Sequence, residues 1–409
     1  MNLHLSGPPE KVLTADIKIT GSKSESNRLL LLQALYPELS IENCSNSDDA
    51  RVMKKGLGTS KGEVDIHHAG TAMRFLTAYF ASQQEKEVVL TGSQRMQERP
   101  IKVLVDALKE MGADISYLKT EGCPPIKVNG NCLEGGKVSL PANISSQYIS
   151  ALLLVAPGLE KGLELELIGT ITSVPYIKMT LSLLAQIGVQ QSFQGNIIKI
   201  APLDIASPKT LVVESDWSSA SYFYSIVALS EAGSTIKLSA YKQHSLQGDS
   251  VLTEIYKALG VDTEFQDHSV VLTKTSRPLP PEIELDLTHA PDLAQTLVVS
   301  CFGLGLPCHL IGLHTLKIKE TDRLEALKSE LGKLGADIAV TNKSLTLGAS
   351  TNIKEGVRIA TYNDHRMAMA FAPLAICTKL IIDDAEVVSK SYPDFWKDLD
   401  GLAFQIKEI

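Results

Sequence analysis

Hydrophobic and polar positions alternate along this chain in a pattern that repeats itself. Four segments carry a helical pattern into a glycine and then enter a strand: ALKEMGADISY, LLAQIGVQQSF, IYKALGVDTEF and ELGKLGADIAV. Their glycines, Gly112, Gly188, Gly260 and Gly335, are separated by 76, 72 and 75 residues. A glycine just past a helix supplies the left-handed residue that ends it, so the recurrence has a mechanical cause. A second series sets small or polar residues before an apolar helix: GTAMRFL, SSQYISALLL, SSASYFYSIVAL, PDLAQTLVV and DHRMAMAFA. With Thr71, Ser146, Ser219, Asp292 and His365 as markers, the steps are 75, 73, 73 and 73 residues. Between the helices, KVSL, LELELIG, TLVVES and IELDL read as short strands. The pattern predicts a unit of roughly 70 residues with two helices and several strands, longer than most solenoid repeats. Six such units fit. SKSESNRLLLLQAL with SDDARVMKKGLG forms the first, and NDHRMAMAFAPLA with YPDFWKDLDGL the sixth. The marker step from Ser24 to Thr71 is only 47 residues, so the first unit is abbreviated.

Composition narrows the partners. A chain of 409 residues with 44% hydrophobic and 21% charged residues is that of a folded protein of two domains. A net charge of −8 argues against nucleic acid or an anionic membrane as partner, because both need summed positive potential. The six cysteines show no CxxC pair and no histidines at zinc-ligand spacing, so reduced thiols and no metal are expected. The first residues, MNLHLSGPPEKV, lack the pattern of a signal peptide, and a cytoplasmic protein is expected. Residues 294–313 are free of Asp, Glu, Lys and Arg, but GLGLP interrupts them. A buried helix, a turn and a buried strand account for that run better than a membrane span does.

Any anion site must therefore be local, and the repeats indicate where. Basic residues cluster at the starts of their helices: Lys23 and Arg28, Arg74, Arg95 and Arg99, Lys319 and Arg323, Arg366 and Lys390. A cation at a helix N-terminus opposes the dipole unless an anion compensates, so this placement points to anionic ligands. Gly21, Ser22, Ser24, Gly70, Thr71, Ser145 and Ser146 add close backbone approach and hydroxyl donors. Glu320 beside Lys319, and Asp292 at the start of an apolar helix, are two carboxylates among cations that could divide acid and base work. Taken singly, each cation reads as a solvated surface charge and Asp292 as a first-turn dipole partner. Spacing alone does not bring the two carboxylates together.

GSKSESNR (21–28), AGTAMR (69–74), RMQERP (95–100), SSQY (145–148), SVPYI (173–177), KETDRL (319–324), NDHRMAM (363–369) and SKSYPDF (389–395) lie in this order along nearly the whole chain. In this set the sequence resembles the 5-enolpyruvylshikimate-3-phosphate (EPSP) synthases of the enolpyruvyl transferase family. The resemblance implies an α/β fold of two similar domains, each of three βαβαββ units about a pseudo-threefold axis, an inside-out α/β barrel with the active site in an interdomain cleft. Residues 21–214 would form one domain, and 1–20 with 215–409 the other. The implied reaction moves the enolpyruvyl group of phosphoenolpyruvate to the 5-hydroxyl of shikimate 3-phosphate by addition and elimination, in the biosynthesis of aromatic amino acids. No cofactor is implied, and a monomer is expected.

The resemblance also assigns roles. Asp292 would take the hydroxyl proton, Glu320 would serve C3 of phosphoenolpyruvate, and Lys23 would contact the reacting groups. Ser24, Arg28, Ser145, Ser146, Gln147, Ser173, Tyr176 and Lys319 match the shikimate 3-phosphate site, with Lys23 and Asp292. Gly70, Arg99, Arg323, Arg366 and Lys390 match the phosphoenolpyruvate site, with Lys23 and Gln147, and Gly70 would leave room for the inhibitor glyphosate. The chain departs from the family pattern at His68, where Asn is usual, at Phe75, often Pro, and at Thr315, often Asn. The stretch from Lys54 to His67 is short. Two alternatives stand beside this reading: the sister enzyme that attaches enolpyruvyl to UDP-N-acetylglucosamine, and a repeat protein that binds anions without catalysis. The sister enzyme carries a loop cysteine over its donor, and Cys123 reads instead as a small structural thiol.

Overall fold

The computed structural model describes the chain except residues 143–144, 172–173 and 351. The chain divides into two compact units, Gly21–Val213 and Met1–Thr20 with Glu214–Ile409.

Each unit is built from three modules of the βαβαββ kind. The most regular runs from strand Lys61–Asp65 through helix Gly70–Ala81, strand Glu87–Thr91 and helix Lys102–Glu110 to strands Asp114–Tyr117 and Ile126–Asn129. The first two strands are parallel, and Ile126–Asn129 pairs antiparallel with both Glu87–Thr91 and Asp114–Tyr117. The same order recurs from Gly136–Pro141 to Ile197–Ile200 and from Ile283–Asp286 to Ser344–Leu347.

The remaining modules are completed by strands distant in sequence. Thr14–Ile17 pairs parallel with Thr235–Ser239, and Leu3–Ser6 lies between Leu380–Ile382 and Gln405–Glu408. Lys209–Val212 pairs parallel with Leu39–Glu42, giving the abbreviated first module a sheet of two strands. Among the described residues the other five sheets have four strands each and none closes on itself, so the barrel of the expectation is an arrangement of open sheets.

The two helices of a module differ for a physical reason. Those that follow a module's first strand are apolar all round and buried: Trp217–Ala228 is buried without interruption, as are Tyr148–Val155 and Ala294–Phe302. The second helices are amphipathic, as Lys102–Glu110 shows by burying only Leu104, Val105, Ala107 and Leu108. Strands alternate likewise. Leu163, Leu165 and Leu167 point inward, whereas Glu164 and Glu166 face out to Lys199 and Lys137. The apolar run 294–313 is helix Ala294–Gly303, a turn and strand Cys308–Ile311. Among the described residues no helix is long and apolar enough to cross a membrane.

The four recurrent glycines do end helices in the left-handed region, with φ of 98°, 97°, 80° and 103° at Gly112, Gly188, Gly260 and Gly335. At three of them the next amide reaches back to the last turn of the helix: Ala113 to Leu108, Val189 to Leu184 and Ala336 to Leu331, at 3.0–3.1 Å. Gly21 is a glycine for another reason, since a Cβ there would lie 1.9 Å from the Asn43 carbonyl oxygen. Glu214, at the expected end of the first domain, is held in the other unit, where its carboxylate accepts from Trp217 Nε1 (2.7 Å), Ser245 Oγ (2.6 Å) and the Lys242 amide (2.9 Å).

At Gly188 a Cβ would meet nothing within 4 Å among the described residues, so Gly188→Ala isolates the backbone term. It should lower stability by about 1–2 kcal/mol, measured by denaturant unfolding, with no change in the folded structure.

Candidate active site

In the unit containing Glu214–Ile409, Arg323 opens helix Arg323–Leu334 and is 2% exposed. Its Nε donates to Asp364 Oδ2 (2.6 Å) and its Nη2 to Asp364 Oδ1 (3.3 Å), while Nη1 donates to Asp292 Oδ1 (2.8 Å) and Nη2 also to Glu320 Oε2 (3.1 Å). Arg366, in the first turn of helix His365–Phe371, holds the opposite edge of Asp292 through Nη2 to Oδ2 (3.1 Å) and donates to Ser218 Oγ (3.2 Å). Lys319 Nζ stands 3.6 Å from Asp292 Oδ1. Three cations thus face three carboxylates, and the two expected acid–base residues, Asp292 and Glu320, converge on one guanidinium.

This corrects one expectation. Arg323 and Arg366 do not wait uncompensated at helix starts, because the protein supplies their counter-charges. Burial opposes both charges, but at Arg323 the carboxylates of Asp364, Glu320 and Asp292 outweigh it and hold the pKa above its ordinary value. Arg366 is raised well above its ordinary value against the same burial, chiefly by Asp292. Lys390 is placed differently from expectation, and Arg95, at the start of helix Gln94–Gln97 as expected, has a protein carboxylate for its partner. Lys390 ends a 3₁₀ turn, Ala385–Lys390, and donates to the Asn363 carbonyl at 2.5 Å. Arg95 is exposed and paired with Glu98 at 3.2 Å, a surface ion pair.

The unit Gly21–Val213 is organised on Arg28. This guanidinium, 2% exposed, donates to Thr180 Oγ1 (2.8 Å), Ser150 Oγ (2.9 Å) and the Ser24 carbonyl (2.7 Å). It lies over the rings of Phe75 (5.4 Å) and Tyr176 (6.0 Å). Burial with mostly neutral partners lowers its pKa to about 10, with Tyr176 and Glu25 acting in the opposite direction. Phe75 is therefore a buried support for this cation, more than one turn into its helix.

Lys23, first in helix Lys23–Leu35, has Nζ 3.6 Å from Asp49 Oδ2. The Ser145 hydroxyl caps helix Ser146–Val155 by accepting from the Gln147 amide, and Gln147 Nε2 donates to Thr71 Oγ1 (3.1 Å). A Cβ at Gly70 would lie 2.7 Å from Arg99 Nη1, so the missing side chain leaves room beside the Arg99 guanidinium. Beneath that loop, buried Arg74 donates to the Pro100 carbonyl (3.0 Å), as does the Tyr148 hydroxyl. His68 is exposed, with Nδ1 2.8 Å from Ser93 Oγ. Thr315 Oγ1 is buried without a hydrogen-bond partner among the described residues. Ser173 lies outside the described residues.

The helix caps separate the two units chemically. In Gly21–Val213 the caps of the buried helices are neutral: Ser22, Ala69 and Ser145. In the other unit Asp216 and Asp364 cap two of them, and Asp292 sits in the turn that opens the third. The first arrangement leaves positive helix ends for anions; the second assembles carboxylates with fixed cations, suited to moving protons.

Sequence reasoning missed Asp49, Ser150, Thr180, Ser218, Asp249 and Asp364. Asp364 carried a signal, because Asp before a helical run is a cap. Its other partner, Arg323, is 41 residues away and no local pattern names it.

The family model for EPSP synthase (3-phosphoshikimate 1-carboxyvinyltransferase) matches residues 55–399. A 3-phosphoshikimate 1-carboxyvinyltransferase of Bacteroides fragilis (strain YCH46) is 44% identical over 411 residues, covering 100% of this chain and 99% of the relative. One from Photobacterium damsela subsp. piscicida is 36% identical, with 97% and 98% covered. Among solved structures, an EPSP synthase from Acinetobacter baumannii superposes with a TM-score of 0.82 at 22% identity, covering 100% of both chains. The enolpyruvyl transferase NikO from Streptomyces tendae does so at 0.74 and 14%, covering 99% and 98%. These two likenesses carry the fold.

Two outcomes are expected from the geometry. Asp364→Asn removes one of the buried carboxylates from Arg323 and should cost about 3–5 kcal/mol of stability in denaturant unfolding. Gly70→Ala should leave far-UV circular dichroism unchanged while displacing the Arg99 guanidinium, read as weaker binding of anionic ligands by calorimetry. Unchanged affinity would show that Arg99 binds none of them.

Proposed function

The chain belongs to the EPSP synthase family, and on that premise we propose that it transfers the enolpyruvyl group of phosphoenolpyruvate to the 5-hydroxyl of shikimate 3-phosphate, releasing inorganic phosphate. The observation that carries the reading is the pair of carboxylates, Asp292 and Glu320, bound to the single buried guanidinium of Arg323. An anion-binding repeat protein has no need of that pair.

In this reading Asp292 takes the proton of the attacking hydroxyl as its oxygen bonds to C2 of phosphoenolpyruvate. Glu320 gives a proton to C3, and in the elimination a C3 proton is removed as the C2–O bond to phosphate breaks. Arg28, Ser24, Ser145, Ser146, Gln147, Ser173, Tyr176 and Lys319 serve shikimate 3-phosphate. Gly70, Arg99, Gln147, Arg323, Arg366 and Lys390 serve phosphoenolpyruvate, and Lys23 contacts both. The neutral helix caps around Arg28 favour a phosphate and a carboxylate there, since nothing but Glu25 in the same first turns offsets the positive ends. Fixed cations orient both reactants without reorganising during the reaction. A monomer in the cytoplasm belongs to the same reading.

Phosphate release should require both substrates and should not occur when UDP-N-acetylglucosamine replaces shikimate 3-phosphate. Glu320→Gln should bind both substrates with nearly unchanged Kd yet turn over at least about a hundredfold more slowly, because the amide cannot exchange a proton. Near-normal turnover would remove Glu320 from the chemistry.

A further inference from the structure

Asp292 presents a difficulty as a base. Arg323, Arg366 and Lys319 all contact it, and each favours its ionised form, which weakens its hold on a proton. Something must offset them if it is to accept a proton near neutral pH.

A candidate lies behind Arg366. Asp249 sits in the 3₁₀ turn Gly248–Val251, is 5% exposed, and accepts a hydrogen bond from the Ser218 hydroxyl. The same Ser218 oxygen accepts from Arg366 Nη2 at 3.2 Å, and that Nη2 also donates to Asp292 Oδ2 at 3.1 Å. The hydroxyl thus gives its proton to Asp249 and turns a lone pair to the guanidinium. The charged groups acting on Asp249 are Asp292 in the turn Pro291–Leu293, Arg366 on helix His365–Phe371 and Asp216 at the cap of helix Trp217–Leu229. On the helix that follows it, Leu252–Ala258, Glu254 and Lys257 are exposed.

We propose that Asp249, acting through Ser218 and through its own negative charge, is a positioning residue for the Arg366–Asp292 pair. It fixes the guanidinium against Asp292 and returns to Asp292 part of the proton affinity that the three cations remove. Burial first, and then the charge of Asp292, raise Asp249 to about pH 6. The repulsion is mutual, so the two carboxylates titrate as a coupled pair. Turnover needs both ionised, which places an acid limb in its pH profile.

The inference rests on the enolpyruvyl-transfer reading, and the experiment separates the two. Wild-type turnover of phosphoenolpyruvate with shikimate 3-phosphate tests the reading. Ser218→Ala and Asp249→Asn in the full chain, assayed for kcat and KM from pH 5 to 9, test the inference. Asp249→Asn leaves Asp292 less basic, so kcat should fall about tenfold and its acid limb should move to lower pH. Ser218→Ala strips ionised Asp249 of a donor and raises its pKa further, so its acid limb should move to higher pH, with a raised KM for phosphoenolpyruvate as Arg366 loses a partner.

A readout independent of turnover is the thermal midpoint. A carboxylate whose folded pKa is raised binds protons more tightly in the native state, so stability falls as pH rises through the folded pKa. Asp249→Asn, which carries no such charge, should gain on wild type between pH 5 and 8. A merely structural role would lower stability and turnover in both variants without moving either limb. Unmoved limbs, or limbs moving in the same direction, in variants that remain folded would overturn the proposal, as would a stability difference independent of pH.

Discussion

The burial of one guanidinium constrains the unit that contains it. Arg323 is removed from water and cannot shed its proton, so its charge must be met inside the protein. It is met by carboxylates from three places: the turn before helix Ala294–Gly303, the loop at Glu320 and the cap of helix His365–Phe371. Those places belong to two modules. Arg366 extends the bond to the third through Ser218 on helix Trp217–Leu229. The modules could pack in many ways on apolar contact alone, because hydrophobic burial has no direction. The arginines supply one, since a planar fork accepts carboxylates only at fixed positions.

The other unit uses the same device with different chemistry. Arg28 comes from the first module, Phe75 beneath it from the second, and Thr180, Ser150 and Tyr176 from the third. Three modules again meet at one buried arginine, but the partners are hydroxyls, a carbonyl and rings in place of acids. A charge compensated by dipoles keeps its field, whereas one compensated by carboxylates loses most of it. Two folds of the same plan therefore present opposite electrostatics: one suited to holding anions, the other to transferring protons among ionised groups.

Much of this plan was legible in the sequence, because its causes are local. Gly112, Gly188, Gly260 and Gly335 each end a helix by the same backbone requirement, and the buried helices announce themselves by lacking a polar face. Thr14–Ile17 and Lys209–Val212 were less legible as members of modules, since pairing over some 200 residues leaves no local trace. The site followed the same rule. Arg28, Arg323 and Arg366 stood out, whereas their partners did not. Helix starts bearing cations read as vacancies for ligands, although carboxylates from other modules already occupied two of them. At Gly70 the sequence shows the missing side chain but not the Arg99 guanidinium that lies beside it.

The ion cluster also bears on how the proposed reaction would proceed. Arg323 commits four of its five N–H groups to carboxylates of the protein, leaving little for an incoming anion unless some are given up. A phosphoenolpyruvate carboxylate that takes a donor from Arg323 or Arg366 takes it from Asp292 or Glu320. Each loss of a cationic contact raises the proton affinity of the residue that loses it. In that exchange the substrate makes the acids of the site better bases as it binds. Without substrate, Arg323, Arg366 and Lys319 are met by Asp292, Glu320 and Asp364, and that mutual compensation keeps a buried group of charges stable.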